Sequence, residues 1–432
     1  MKCSDDHTES GCYDTVKAGS AVAQSCTLPF RRIGFCWRVV RTDRQPSATR
    51  RYSRLQICAT GFRSDVRLPA LLWVAGKSAS CASTLLKRLL TIAMIALLAL
   101  LCSNCRTSQR VQFPDFIRFD AAQGEYPEGV AVDHAGNVFV SIGAGSGPRG
   151  AILKFTPAGE KSLLVDFHTP GAVGLAVDAL GNVYVARATN NGVWRVDTNG
   201  QAVRLPGTEQ IIFPNALAFD HVGNLYATET YSGTGTNFGP GGIWKIPPHG
   251  PTALWLRHEL LTGLKPALFP FPVGANGIGF FRENLYVVNT DKALVVKVPV
   301  RQDGGPGEPE VWKQVADVPE APFHGSQQVP LMLDGLALDT RGNVYVAVPS
   351  RAAIVRINAS DLTQQTIAVY PRVPLDAPLS LAFGTGAGER ESLFISNGGF
   401  SATIVPPPTG GPPWAGPGLV KIDAGVSGLP LP

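Results

Sequence analysis

Four oxygen-bearing side chains stand at one register of a recurring phrase: Glu128 in Pro-Glu-Gly, Asn215 in Pro-Asn-Ala, Asn276 in Ala-Asn-Gly and Asp334 in Leu-Asp-Gly. Two carboxylates and two amide carbonyls are hard donors with a formal charge of −2, a set that suits Ca²⁺ and is open to other divalent cations. No His or Cys shares the register, which argues against zinc. Two unpaired carboxylates brought to one channel would be costly, and a divalent cation removes that cost. Singly, Asn, Asp and Glu beside Gly are ordinary turn formers; the shared register makes them a candidate centre. His168 and His324 lie in stretches leading into lead residues, where either could reach the mouth and relay protons. His134 and His221 sit in Asp-His-x-Gly-Asn turns and read as solvent-facing. The glycine-rich run 232–236 lacks the lysine and following helix of a phosphate loop and reads as a plain loop.

The elements that must position these residues are legible from the repeats. The phrase occurs six times, at 128–133, 173–178, 215–220, 276–280, 334–339 and 379–384, with lead residues Glu128, Val173, Asn215, Asn276, Asp334 and Leu379. Each copy is followed by an aromatic-bearing apolar run, as in 137–140, 182–185 and 343–346. Between them stand Asp-x-x-Gly-Asn turns, where Asp and Asn bond locally and Gly takes positive φ. A third run carries a cation between apolar neighbours: Lys154, Arg195, Lys245, Lys297, Arg356 and Lys421. Period two puts that cation on the opposite sheet face from the residue before it, its stem along the sheet. The second unit reads as strands 174–177, 182–186, 192–196 and 202–205. Residues 129, 174, 216, 277, 335 and 380 give steps of 45, 42, 61, 58 and 45, the period of a four-stranded propeller blade with insertions in two units. The expectation is an all-β, six-bladed β-propeller whose inner strands line a channel, with the lead residues at one end of it. The last unit is one strand short, and 116–119 is expected to complete it and close the ring.

A net charge of +5 over 432 residues gives no reason to expect nucleic acid. All eight cysteines lie in the first 105 residues, so neither disulfides nor a thiolate metal site can belong to the repeats. Residues 1–84 show no sustained period and read as a disordered or artefactual extension. In 85–105, Lys87-Arg88 precede the apolar run 89–101 and Cys102-Ser-Asn-Cys105. That is the grammar of a secretory signal, short for a spanning helix, and it implies export if translation begins near residue 85. Lipid on Cys102 or Cys105 would add a membrane anchor. The propeller is assigned to 106–432; the oligomeric state leaves no mark.

The phrase pattern resembles the regucalcin (senescence marker protein)/gluconolactonase family of six-bladed propellers, relatives of diisopropyl fluorophosphatase and the paraoxonases, over about residues 111–425. The resemblance implies a channel calcium held by a Glu of the first blade, Asn residues of middle blades and an Asp of the fifth. Glu128, Asn215, Asn276 and Asp334 match these in turn. It further implies hydrolysis of a small-molecule lactone, ester or phosphotriester, with Asp334 as general base or nucleophile and Asn215 orienting substrate as well as metal. Two positions depart. Leu379 stands where diisopropyl fluorophosphatase has a histidine near its metal, and Ile212-Phe213-Pro214 precede Asn215 where sugar lactonases carry an arginine. The second departure favours a substrate more apolar than a sugar lactone. Inserts around 269–271 and 322–324 are expected to overhang the same face as an aromatic rim. The units also resemble the NHL repeats of non-catalytic propellers, which bind a partner or ligand, and strictosidine-synthase-like propellers, which keep the fold with other chemistry.

Overall fold

A computed structural model describes residues 113–143, 149–233, 237–265, 269–322, 329–401 and 413–431, with the backbone of 58–59 and 62–63. The chain separates into Met1–Thr107 and Ser108–Pro432. The expectations for 1–84 and 85–105 lie outside the described residues, apart from the paired dipeptides Cys58–Ala59 and Phe62–Arg63.

Within Ser108–Pro432 the repeats form six four-stranded antiparallel sheets, the blades of a propeller. Their inner strands are Pro127–Val132, Ala172–Val177, Pro214–Phe219, Ala275–Phe281, Leu336–Leu338 and Pro378–Phe383. The sixth blade is completed by Phe116–Arg118, which pairs with Gly418–Asp423 through Leu419 and Ile117. The expected ring closure is therefore found, and it leaves no open edge there.

Local chemistry explains the blade. In the hairpin turns Asp133 Oδ1 accepts from the amides of Ala135 and Asn137 while Asn137 Nδ2 donates to Oδ2, with Gly136 at φ 81°. Asp178, Asp220 and Asp339 repeat the arrangement. One strand outward, the cation faces the aromatic residue of the second strand in all six blades: Phe139–Lys154, Tyr184–Arg195, Tyr226–Lys245, Tyr286–Lys297, Tyr345–Arg356 and Phe394–Lys421. Lys154 and Lys245 lie 5.8 and 5.7 Å from the ring centres of Phe139 and Tyr226, within cation–π range. The apolar core sits between successive blades. Tyr286, Val288 and Val295 of the fourth, for example, pack on Leu336, Val346 and Val355 of the fifth.

At the lead register every blade places two inner-strand residues against one on the second strand, a β-bulge that re-aims side chains. The shift falls between Pro127 and Val130, Ala172 and Leu175, Pro214 and Leu217, Ala275 and Ile278, and Pro378 and Ser380. In the fifth blade Ala347 bonds both Asp334 and Gly335. Each lead residue's carbonyl then meets the blade before it. Ser141 Oγ donates to Val173 O at 2.6 Å, Thr228 Oγ1 to Asn276 O at 2.8 Å, and Ser396 Oγ to Glu128 O. The same hydroxyls accept from Gly129, Ala216 and Ser380 amides. Where the second strand offers no hydroxyl, glycine lets the backbones touch. The amides of Gly277 and Gly335 donate to Asp334 O and Leu379 O at 3.3 and 2.6 Å, and Gly174 abuts Asn215 O.

A Cβ on Gly174 would overlap the Asn215 carbonyl oxygen and Ala216. Gly174→Ala is thus expected to lower unfolding free energy by about 1–3 kcal/mol, as overpacking does. Denaturant titration checks this, and an unchanged midpoint would show that the blades need no close approach there.

Candidate metal centre

The bulges bring the lead residues to one end of the inner strands, and the walls then hold their amides. Asn215 and Asn276 are buried, at 9% and 4% exposure. Asn215 Nδ2 donates to Thr230 Oγ1 at 3.0 Å, and Thr230 Oγ1 donates onward to Ala275 O at 3.0 Å. Because that hydroxyl proton is committed, Thr230 must accept from Asn215, which fixes the amide orientation. Asn276 Nδ2 donates likewise to Thr290 Oγ1 at 3.0 Å. Asn276 also donates to Asp334, and no donor among the described residues bonds the Oδ1 of either amide. Neither threonine was singled out in the sequence. Each is the first residue beyond its blade's second strand, Leu225–Glu229 and Asn284–Asn289, and that shared place was the available signal.

Charge couples the two carboxylates. Asp334 is held well above the ordinary carboxyl range, first by burial and then by the negative charge of Glu128, with a hydrogen bond from Asn276 opposing both. Blades one and five are separated by blade six, so this repulsion acts between side chains of non-adjacent blades. Burial pushes Glu128 up to about 7. No cationic side chain pairs with either carboxylate among the described residues. Nor do those residues hold a cluster of three His, Cys, Asp or Glu, so a metal here would depend on the two amides. Two carboxylates short of counter-charge and two amide oxygens without donors fit a hard divalent cation.

The remaining candidates lie elsewhere. His168 has φ 58° and a side chain 85% exposed; its ring and amide both face Asp166, and it makes no contact with the lead residues. His324 lies outside the described residues. Two cavities, of about 410 and 450 Å³, open away from the lead register. The larger is lined by the far ends of the inner strands, including Val132, Phe219, Phe280 and Phe383, and is mainly apolar.

In the metal-free protein the native state holds more protons than the unfolded chain between pH 4.5, the ordinary Glu value, and about 7. Stability therefore falls as pH rises through that window. The denaturant midpoint of calcium-free protein should be lower at about pH 8 than at about pH 5, and Glu128→Gln should flatten the difference. An unchanged slope in that variant would mean Glu128 is not the group responsible.

Comparison with known proteins agrees with the fold. The SMP-30/Gluconolactonase/LRE-like region family matches residues 211–398. Among solved structures, a gluconolactonase from Xanthomonas campestris is 18% identical, covering 70% of this chain and 86% of that one at a TM-score of 0.50. A calcium-binding regucalcin from Agrobacterium tumefaciens is 19% identical, with 74% and 97% coverage and a TM-score of 0.51. A luciferin-regenerating enzyme is 17% identical, with 72% and 95% coverage and a TM-score of 0.50. At such identities the likeness is one of fold. No curated protein matches. The stretch carrying Asn215, Asn276 and Asp334 is the part of the chain that matches the SMP-30/gluconolactonase/LRE-like region, the family the repeated phrase resembles.

Proposed function

We propose that this protein is a calcium-dependent hydrolase of a lactone, ester or phosphotriester, working at the lead-residue end of the channel. The reading is carried by the four oxygen-bearing lead residues at one bulged register, whose two carboxylates no described cation pairs. Glu128, Asn215, Asn276 and Asp334 would hold the ion. Bound calcium would supply Lewis-acid chemistry, drawing off the negative charge that develops on a carbonyl or phosphoryl oxygen.

The chain's own residues do the rest. Asp334 must be ionised to act, and its burial beside Glu128 opposes ionisation, so the site is quiescent until a counter-charge arrives. Once ionised, Asp334 takes a proton from water as the water oxygen bonds to the acyl or phosphoryl centre. The proton then goes to the departing alkoxide. Alternatively its own oxygen bonds to that centre, expelling the alkoxide, and water later cleaves the acyl or phosphoryl enzyme. Asn215, fixed by Thr230, orients the substrate. Export, which the apolar run 89–101 supports, would put the site where extracellular modules bind calcium with dissociation constants of about 10⁻⁴–10⁻³ M.

Calorimetric titration of the chelator-treated protein with calcium, beside Asp334→Asn, tests the reading. Wild type should bind one ion, and the variant should bind more weakly and lose about 10²–10⁴-fold in turnover while folding normally. Absence of calcium binding, or full activity in Asp334→Ala, would overturn it and return the fold to the partner-binding propellers.

A further inference from the structure

Two inserts meet beside the candidate centre and build a wall of rings. Phe213 stands two residues before Asn215, and its carbonyl accepts from the amide of Thr230, whose hydroxyl holds the Asn215 amide. Tyr231 follows Thr230 directly, and its ring centre lies 5.0 Å from that of Phe213. Phe271 joins both, at 5.7 Å from Phe213 and 5.3 Å from Tyr231. Phe238 lies 4.9 Å from Tyr231, and Phe269 stacks on Phe271 at 6.2 Å. Phe269 and Phe271 of the first expected rim are thus joined by three further rings, while 323–324 of the second lie outside the described residues.

The wall is held by the residues that hold the centre. Asn289 Nδ2 donates to the carbonyls of Leu260 and Thr262, and Asp291 Oδ2 accepts from the amides of Leu264 and Val273. Between them stands Thr290, which receives the Asn276 amide. One short run thus fixes both the insert and a lead residue, so the rings keep their place relative to Asn276. The outermost ring, Phe269, is 40% exposed and so open to a ligand. The wall also has little polar chemistry. Its one hydroxyl, on Tyr231, has no hydrogen-bond partner among the described residues, and burial raises its pKa. A polyhydroxylated substrate would find almost nothing to bond, while an apolar one would gain stacking area and a single orienting donor.

Building on the hydrolase reading for the reacting bond, we propose that Phe213, Tyr231, Phe238, Phe269 and Phe271 form the subsite for the non-reacting part of the substrate, and that this part is aromatic or alkyl rather than a sugar.

Full-length, calcium-loaded protein is assayed with dihydrocoumarin, an aryl δ-lactone, and with glucono-δ-lactone. Binding of the lactam counterpart of dihydrocoumarin, which resists hydrolysis, is followed by calorimetry with calcium and with chelator. The aryl lactone should be the better substrate. Phe269→Ala, at the exposed end, should weaken lactam binding and raise KM about tenfold with kcat and calcium affinity unchanged, as loss of pocket contact does. Phe271→Leu should do the same with less effect on packing. Preference for the sugar lactone, or lactam binding absent or unmoved by both variants while calcium still binds, would overturn the subsite and leave the hydrolase reading intact. Lactam binding that is weakened by the variants, in a protein that neither binds calcium nor turns over, would support the subsite and sink the hydrolase reading instead.

Discussion

The backbone carbonyls of six lead residues are where neighbouring blades come closest, and each is met by the blade before it. A hydroxyl does this at Ser141, Thr228 and Ser396, and a bare glycine backbone at Gly174, Gly277 and Gly335. The side chains of the candidate centre hang from those pinned units. Their positions are therefore set by the neighbouring blade as much as by their own, and the centre exists only once the ring is complete. This is how a fold built of hairpins reaches the sub-ångström placement that a binding constellation needs.

Against that rigid frame the electrostatics are one-sided. The same protein shows how a buried carboxylate is ordinarily satisfied. Glu229, fully buried, accepts from the Ile212 amide, from Trp244 Nε1 at 3.1 Å and from Arg257 at 2.7 Å. Glu128 and Asp334 have no such company among the described residues. Nor is the buried Arg187 spent on them. It lies over Phe167 at 4.2 Å and fastens the loop through Thr169, at the cost of a pKa lowered to about 10 by burial. Charges are normally buried with partners. Glu128 and Asp334, half-buried, depart from that pattern among the described residues.

Much of this was readable from residues because a propeller repeats its physics. The lead register, the Asp-Asn turns and the alternation that sets Tyr184 against Arg195 or Tyr345 against Arg356 are local patterns with a fixed period. The closing strand at Phe116 was readable because the last unit lacked one. What stayed hidden was tertiary. Thr230 and Thr290 sit beyond the repeated phrase, and nothing in their type distinguishes a hydroxyl that holds a ligand from one that faces water. Phe269 and Phe271 announce themselves in an insert, but Phe213, Tyr231 and Phe238 come from other stretches and join them only in space. The repulsion of Asp334 by Glu128 joins blades one and five, which are far apart in the chain and meet only when the ring closes.

The blade that closes the ring has a temporal consequence. Phe113 O receives the Lys421 ammonium across 308 positions of chain, and Phe116–Arg118 has no partner until Gly418–Asp423 exists. At about 5–20 residues per second of synthesis, the early strand waits on the order of half a minute on the ribosome with its backbone groups unpaired. Five blades can form hairpin by hairpin as they emerge, yet the ring stays open until the final strand appears. Such a chain presents an unpaired strand edge throughout its translation, and the candidate centre is assembled only at the last step of its birth.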